Sequence, residues 1–247
     1  MSISVCLATY NGEKFIKKQI SSILSQIASN DEVIVIDDCS SDNTVKIIES
    51  LKDKRITIYL NNKNRREVYS FNRAIELAKN DFIFLSDQDD IWIDDRVKTM
   101  KKYINNFNLV SSNFFWIDKN DKKIEINYDG VKSENSKKYI SNIIDIFKGK
   151  TNYYGCAMAF HSDLKKIIYP IPNYVESHDL WIAKCANIYK RNIHIDEKTL
   201  LKRNHQNNTT STISTRPFYL KIFARIIFII SIFTILFRIL KLKVNDR

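Results

Sequence analysis

Phe82-Ile83-Phe84-Leu85-Ser86-Asp87-Gln88-Asp89-Asp90-Ile91-Trp92 carries a short apolar run straight into three carboxylates within four residues. An apolar run of this length, bounded by polar residues, reads as a buried strand. Carboxylates crowded at a strand end repel one another unless a cation neutralises them. A hard divalent metal suits such oxygen ligands, and a metal of that kind commonly accompanies a phosphate-bearing substrate. On these residues alone two readings stand: a metal-bound diphosphate site, and a solvated acidic turn of the sort Asp favours.

Outward from this stretch the chain alternates. Strand patterns at residues 3–8, 33–36, 56–60 and 82–85 are separated by helical patterns at 13–26, 43–51 and 70–78. In the first helix the apolar residues Phe15, Ile16, Ile20, Ile23, Leu24 and Ile27 recur at helical spacing. Ser41 or Asp42 is the expected N-cap of the second. A helix over 96–107, a strand over 109–115 and helices over 139–147 and 179–188 follow. Such alternation predicts right-handed crossovers and an α/β fold, a Rossmann-like, mainly parallel sheet flanked by helices. In sheets of this kind ligands bind outside the carboxyl ends of the strands. Three polar groups directly follow strand ends and should share one edge: Thr9-Tyr10-Asn11, Asp37-Asp38 and Asp87-Gln88-Asp89. Asp37 and Asp38 also fit as turn acids ahead of a helix.

A chain of 247 residues suffices for one large domain, or a domain with an appendage. Its 39 basic against 28 acidic residues give a net charge of +11, which favours an anionic partner: nucleotide, nucleic acid or acidic membrane surface. Cys6, Cys39, Cys156 and Cys185 show no CxxC pairing and read as free thiols in a reducing compartment. With no basic region ahead of the first strand, no secretory signal is expected. The loop after that strand reads Ala8-Thr9-Tyr10-Asn11-Gly12, and the chain holds only four glycines. A dinucleotide GxGxxG, a P-loop and the glycine-rich loop of a sugar-nucleotide pyrophosphorylase are all absent. A diphosphate would then be met by metal and side chains. No nucleic-acid-binding motif or aromatic-interleaved basic stripe is present, so no nucleic-acid partner is expected. A membrane-associated, non-catalytic scaffold is the alternative from a different class.

Taken together, Ser4 through Gly12, Asp31 through Thr44 and Leu85 through Trp92 resemble glycosyltransferase family 2, with the GT-A fold. Gly155-Cys156-Ala157-Met158-Ala159-Phe160, His178-Asp179-Leu180-Trp181 and Arg203 through Asn208 extend the resemblance over about residues 2–210. The Asp-Gln-Asp-Asp-Ile-Trp and His-Asp-x-Trp versions are most similar to the rhamnosyltransferase-like branch of bacterial surface-polysaccharide synthesis. The resemblance implies a catalytic domain over 1–210, with a nucleotide-binding half (1–108) and an acceptor-binding half (109–210). Residues 211–247 form a hydrophobic and basic helical tail.

The roles that follow are those the resemblance implies. Thr9, Tyr10 and Asn11, with Glu13 nearby, hold base and ribose. Asp38 or Asp37 accepts a hydrogen bond from the pyrimidine N–H or a ribose hydroxyl. Asp87 meets the ribose or donor sugar, and Asp89 binds Mg²⁺ or Mn²⁺, with His205 as a further metal ligand or diphosphate contact. Asp179 is the general base of an inverting transfer, parallel in logic to the base of an inverting glycosidase. Asp179 also fits as the N-cap of the helix it precedes. Trp181 and His178 are acceptor contacts; Trp181 and Trp92 suit stacking on sugar rings, and Trp92 equally suits core packing. The donor is a dTDP- or UDP-linked sugar, with rhamnose from dTDP-rhamnose foremost, and the acceptor a glycan or polyprenyl-diphosphate-linked saccharide. One departure stands out: Arg66 occupies the place of the glycine in the family's Asn-x-Gly turn, and the arginines at 65 and 66 suit a phosphate contact.

In the tail, residues 226–237 are an uncharged run of twelve, apolar but for Ser231 and Thr234 and bracketed by Arg225 and Arg238. That is short of the ~20 residues that span a bilayer. The expectation is a helix lying on the inner face of the cell membrane, drawn by anionic lipid, in a cytoplasmic and peripheral protein. A buried or dimer-forming helix is the other reading.

Overall fold

The computed structural model describes residues 2–104, 109–150, 153–204 and 217–245. The nucleotide-binding half alternates as expected: β1 (Ile3–Thr9), α1 (Ile16–Leu24), β2 (Glu32–Asp37), α2 (Thr44–Ser50), β3 (Ile56–Leu60), α3 (Arg66–Leu77) and β4 (Phe82–Ser86). Then come β5 (Ile91–Trp92), α4 (Arg96–Ile104), β6 (Leu109–Ile117), β7 (Lys123–Ile124), α5 (Tyr139–Lys148), β8 (Met158–His161), α6 (Ser162–Ile168), α7 (His178–Ile188), β9 (Asn192–Arg203) and α8 (Phe218–Asn245).

Among the described residues these strands form one nine-stranded sheet of order β3-β2-β1-β4-β8-β6-β9-β5, with β7 paired to β6. The first four strands are parallel. Beyond β4 the sheet turns mixed, because β8 runs antiparallel to both β4 and β6, while β6 and β9 are parallel. β5, β7, β8 and β9 carry no strand signal strong enough to read from sequence. β9, for example, mixes His194, Asp196, Glu197, Lys198, Lys202 and Arg203 into twelve residues.

The central strands are buried on both faces, which is why they are apolar without interruption. Ile3, Val5 and Leu7 of β1 pack with α1 and α4, and Cys6 faces α3 and the C-terminal helices. Phe82 and Phe84 of β4 share the first face, and Ile83 and Leu85 the second. The period of two fixes the register, since a one-residue slip would exchange the two cores.

Two helix starts differ from expectation for a physical reason. α3 begins at Arg66, four residues early, because the distant Asp38 carboxylate accepts the N–H groups of Arg65 and Arg66. α7 is capped by Ser177, whose hydroxyl accepts from Leu180 N, so Asp179 lies inside the first turn and is not the N-cap. In α2 the N-cap position falls on Asn43 rather than on Ser41 or Asp42, with no side-chain cap; Asp42, one residue earlier, accepts from Thr44 N through Oδ1 at 2.9 Å.

α8 docks along one side. Ile235 and Ile239 are buried in the core, Tyr174 shares a 2.8 Å hydroxyl hydrogen bond with Thr234, and the Arg238 guanidinium donates to the carbonyls of Ile167, Ile168 and Pro170. Under α5 lies a buried polar network. His194 Nδ1 donates to Lys132 O at 3.2 Å, and Nε2 accepts from the Tyr153 hydroxyl at 2.8 Å and from Asn192 Nδ2 at 3.0 Å. This pattern requires the neutral imidazole, and burial accordingly lowers the His194 pKa from 6.5 to about 4.

The unfolded chain therefore takes up this proton first as pH falls. The stability it represents is complete above pH 6.5 and is lost down to about pH 4, to the extent of about 1–3 kcal/mol. Urea unfolding at pH 7.5 and pH 5 checks this: the wild type should lose stability between the two, and His194→Asn, although less stable at both, should show a smaller difference.

Candidate active site

The carboxyl ends of β1, β2 and β4 meet as the alternation requires. Gln88 stitches the first and third: its Oε1 accepts from Thr9 Oγ1 at 2.7 Å and Tyr10 N at 2.8 Å, and its Nε2 donates to Tyr10 O at 3.1 Å. A Cβ on Gly12 would come within 2.3 Å of Gln88 Oε1, so this crossing needs glycine. Asn11 adopts a left-handed backbone (φ 49°) and its Oδ1 accepts from Ser41 N at 2.8 Å. Glu13 Oε2 accepts from both Asn43 N and Asn43 Nδ2 at 3.0 Å. The loops after β1 and β2 are thereby one unit, with Tyr10 46% exposed at its rim.

Asp37 and Asp38 are both buried. Asp37 accepts from Ser40 N at 2.9 Å and from Ser40 Oγ, and Asp38 accepts from Asn61 Nδ2 at 2.8 Å and from the backbone of Arg65 and Arg66. Each braces a loop at this sheet edge; a direct contact with base or ribose would add to that role. Arg66 takes the glycine's place without changing the turn, holding φ 69° as an arginine, while the Arg65 guanidinium lies 3.8 Å over the Tyr69 ring.

The acidic turn after β4 is not a solvated loop. Asp90 is fully buried: its Oδ1 accepts from Arg203 N at 3.0 Å, and Oδ2 has no N–H or O–H partner among the described residues. Burial, reinforced by the charges of Asp89 and Asp87 and opposed by Lys202, pushes the Asp90 carboxyl up to about 7. Lys202, 11% exposed, places its ammonium 3.4 Å from Asp87 Oδ2 and 3.5 Å from Cys156 Sγ. Burial works against that ammonium, yet Cys156 and the carboxylates of Asp90, Asp87 and Asp89 hold its pKa well above the ordinary lysine value. Arg203 donates from Nε to Asp89 O at 2.8 Å and pairs with Asp121 at 2.6 Å, so the end of β9 clamps the turn from behind.

Ligand atoms of Asp87, Asp90 and Cys156 lie within 4.8 Å of one another. The thiol is fully buried and pushed well above its ordinary pKa, first by burial, so it stays protonated and is a poor ligand. The carboxylates are the donors a divalent ion takes, and the Lys202 ammonium already shows that a cation is accommodated beside them. The residues present therefore fit a hard divalent metal. Asp89, the expected ligand, is half-buried on the same turn. His205 lies outside the described residues.

The segment Tyr154-Gly155-Cys156 joins this turn to the other half of the site. Cys156 touches the carboxylates, and a Cβ on Gly155 would come within 3.6 Å of Asp179 Cβ and 2.7 Å of His178 Nε2. The Tyr154 hydroxyl is raised by burial and then perturbed by Lys202 on one side and Asp179 on the other. Asp179 Oδ1 accepts from Leu180 N at 2.8 Å and from the Ser177 hydroxyl, which fixes the carboxylate at the start of α7. His178 stacks on Phe71 with ring centroids 4.0 Å apart, and neither ring nitrogen has a partner among the described residues.

The expected sugar contact of Trp181 is corrected, and for Trp92 the core-packing alternative holds. Trp181 is fully buried and donates its indole N–H to Ile168 O at 3.0 Å, so it offers no face to a sugar. Trp92 is 3% exposed, packed on Phe84 and beneath the buried Arg96 guanidinium. The sequence reading missed Lys202, Arg203, Arg96 and Cys156. The one signal for the first two was a basic pair at the edge of the Arg203–Asn208 motif.

The fold and site define a sugar-nucleotide-dependent transferase of the GT-A type. The profile of Glycosyl transferase family 2 matches residues 4–168, and the chain belongs to that family. An uncharacterised glycosyltransferase of Methanocaldococcus jannaschii is 31% identical over 88% of this chain and 76% of that protein. The dTDP-rhamnosyl transferase RfbG of Shigella flexneri is 29% identical over 82% and 72%. An Escherichia coli UDP-Glc:alpha-D-GlcNAc-diphosphoundecaprenol beta-1,3-glucosyltransferase, WfaP, is 36% identical over 38% of each chain. Among solved structures, Staphylococcus aureus TarS 1–349 with UDP-GlcNAc superposes with a TM-score of 0.69 at 21% identity, covering 93% of this chain and 66% of that one. The Pyrobaculum calidifontis mannosyltransferase PcManGT with GDP-Man and Mn²⁺ gives 0.60 at 18%, covering 83% and 57%. The chain thus spans about three-quarters of the first two relatives and two-thirds or less of these structures.

The bracing role of Asp38 has a measurable consequence. Asp38→Ala removes the acceptor of Arg65 N and the nearer of two acceptors of Arg66 N and Asn61 Nδ2, leaving these Asn64 Oδ1 and Ser70 Oγ, and should cost about 1–3 kcal/mol. Arg66→Gly relieves a left-handed arginine and should change stability by less than about 1 kcal/mol, in the stabilising direction. Denaturant unfolding of both variants checks the pair.

Proposed function

We propose that this chain transfers a hexosyl group, with inversion, from a pyrimidine nucleoside-diphosphate donor to a glycan or polyprenyl-diphosphate-linked acceptor at the cytoplasmic face of the membrane. The observation that supports this reading is that Asp179 and the Asp87–Asp90 turn both neighbour the segment Tyr154-Gly155-Cys156. In-line displacement needs a base and a diphosphate-binding carboxylate turn near one anomeric carbon, and in this reading the segment lies between the two roles.

In this reading Thr9, Tyr10, Asn11 and Glu13 seat the nucleoside, over loops braced by Asp37 and Asp38. Asp87 meets the ribose or donor sugar. A divalent ion, Mg²⁺ or Mn²⁺, held by Asp89 with Asp87, supplies charge neutralisation for the departing diphosphate. Lys202 offers a second positive charge beside the same carboxylates. Asp179 takes the acceptor hydroxyl proton as that oxygen attacks from the face opposite the diphosphate. His178, expected at the acceptor, is 8% exposed with both ring nitrogens buried between Phe71 and Gly155, so in this conformation it offers no nitrogen to an acceptor hydroxyl.

Rhamnose from dTDP-rhamnose is the donor reading favoured by likeness to a dTDP-rhamnosyl transferase over most of the chain. A UDP-hexose donor is the second reading, supported by likeness to the UDP-Glc-dependent WfaP and to the fold of TarS. The diphosphoundecaprenol acceptor of WfaP supports a lipid-linked acceptor here.

Asp179→Asn removes the base while keeping size and the N–H contacts at α7. Transfer should fall by about 10²–10⁴-fold, with nucleotide affinity within about twofold of wild type. The assay uses dTDP-rhamnose and UDP-glucose with a lipid-diphosphate-linked N-acetylglucosamine acceptor, and the product's anomeric configuration is read by NMR. Near-normal transfer by the variant, or a retained anomeric configuration, would contradict the assignment.

A further inference from the structure

α8 is 28 residues long, about 42 Å, and its stretch Tyr219–Val244 is long and apolar enough to cross a membrane. Its docking makes a crossing incompatible with this fold. Arg238 is bound to three carbonyls at the end of α6, and Ile235 and Ile239 are buried in the domain core, so the helix lies along the domain rather than projecting from it. The opposite side remains uncovered: Ile226, Phe233 and Leu240 are 49%, 68% and 62% exposed, in a line seven residues apart.

α5 continues that surface. Ile140, Ile144 and Phe147 recur at i, i+4 and i+7 and are 73%, 43% and 37% exposed. The Phe147 ring packs edge-on against Phe228 of α8 at 5.3 Å, and Arg225 lies 4.7 Å over it, so the two helices meet at this corner.

We propose that α5 and α8 together form one face that docks onto an anionic lipid bilayer, with α5 as a second insertion element beside the tail. This rests on the membrane-peripheral reading above and adds to it the acceptor-side helix. Charge selects the occupant. Besides the docked Arg238, α8 carries four basic residues, Lys221, Arg225, Lys241 and Lys243, and no carboxylate, which suits an anionic surface. A second copy of the chain fits poorly, because Ile229 and Leu236, beside the central line, are also exposed and apolar. A two-helix seam in water needs charged flanks there. The geometry also reaches the chemistry. Asn142 of α5 donates to Asn187 of α7 at 3.0 Å, and α7 carries Asp179 in its first turn. Docking α5 on lipid would set the depth of the base above the membrane.

The test uses the full chain with phosphatidylcholine vesicles, with and without added phosphatidylglycerol. Wild type should partition onto the anionic vesicles, and Ile140→Glu with Ile144→Glu should weaken partitioning about tenfold or more, as expected for removing two inserted side chains. Nucleotide affinity should not change, which separates this result from failure of the transferase reading. If the glutamates prevent folding, Ile140→Ser with Ile144→Ser is read the same way. Unchanged partitioning of the double variant would overturn the role of α5 while leaving the tail. Wild type that ignores both vesicles but sediments as a dimer would assign the face to a second copy and overturn the proposal entirely.

Discussion

The whole site depends on keeping three carboxylates together at the end of β4. Asp87, Asp89 and Asp90 cannot share so small a volume on their own charge. β9 answers this by delivering the buried Lys202 ammonium 3.4 Å from Asp87 Oδ2, while Arg203 holds the turn through its backbone N–H on Asp90 and its Nε on the Asp89 carbonyl. This explains the mixed half of the sheet: β8 turns antiparallel so that β6 and β9 can lie beyond it, and the last residues of β9 arrive under the acidic turn.

A division of labour follows among residues that look alike in sequence. Asp90, buried and clamped by the Arg203 amide, is structural, whereas Asp87 and Asp89 are only partly buried. Asp37 and Asp38 brace loops, and Asp179 is held by its own helix start. The same carboxylate chemistry serves charge pairing and loop bracing, and burial separates these from the carboxylates that the proposed function assigns to ligand and base.

Much of this was legible from residues that report on their own surroundings. The uninterrupted apolar runs of β1, β2 and β4 announced a sheet buried on both faces, and the polar groups after them announced the binding edge. What was not legible depended on partners distant in sequence. β9 resembles a solvated strand until the Lys202 ammonium meets Asp87 and the Arg203 amide meets Asp90 across more than a hundred residues. The early start of α3 depends on Asp38, and nothing near Arg66 signals it. Trp181 looked available for a sugar because its motif neighbours Asp179, but helical rotation turns it into the core. In the tail, counting only the apolar residues between two arginines missed that Arg238 is a docking residue with three carbonyl acceptors rather than the end of a lipid-facing segment.

The central claim, that the turn after β4 holds a metal-bound nucleoside diphosphate, is tested most directly by calorimetric titration of the protein with dTDP and with UDP, each with and without Mn²⁺. The account predicts binding that requires the metal and is lost in Asp89→Ala, with preference for dTDP if rhamnose is the donor. Metal-independent binding of equal strength, or no binding of either nucleotide by folded protein, would contradict it.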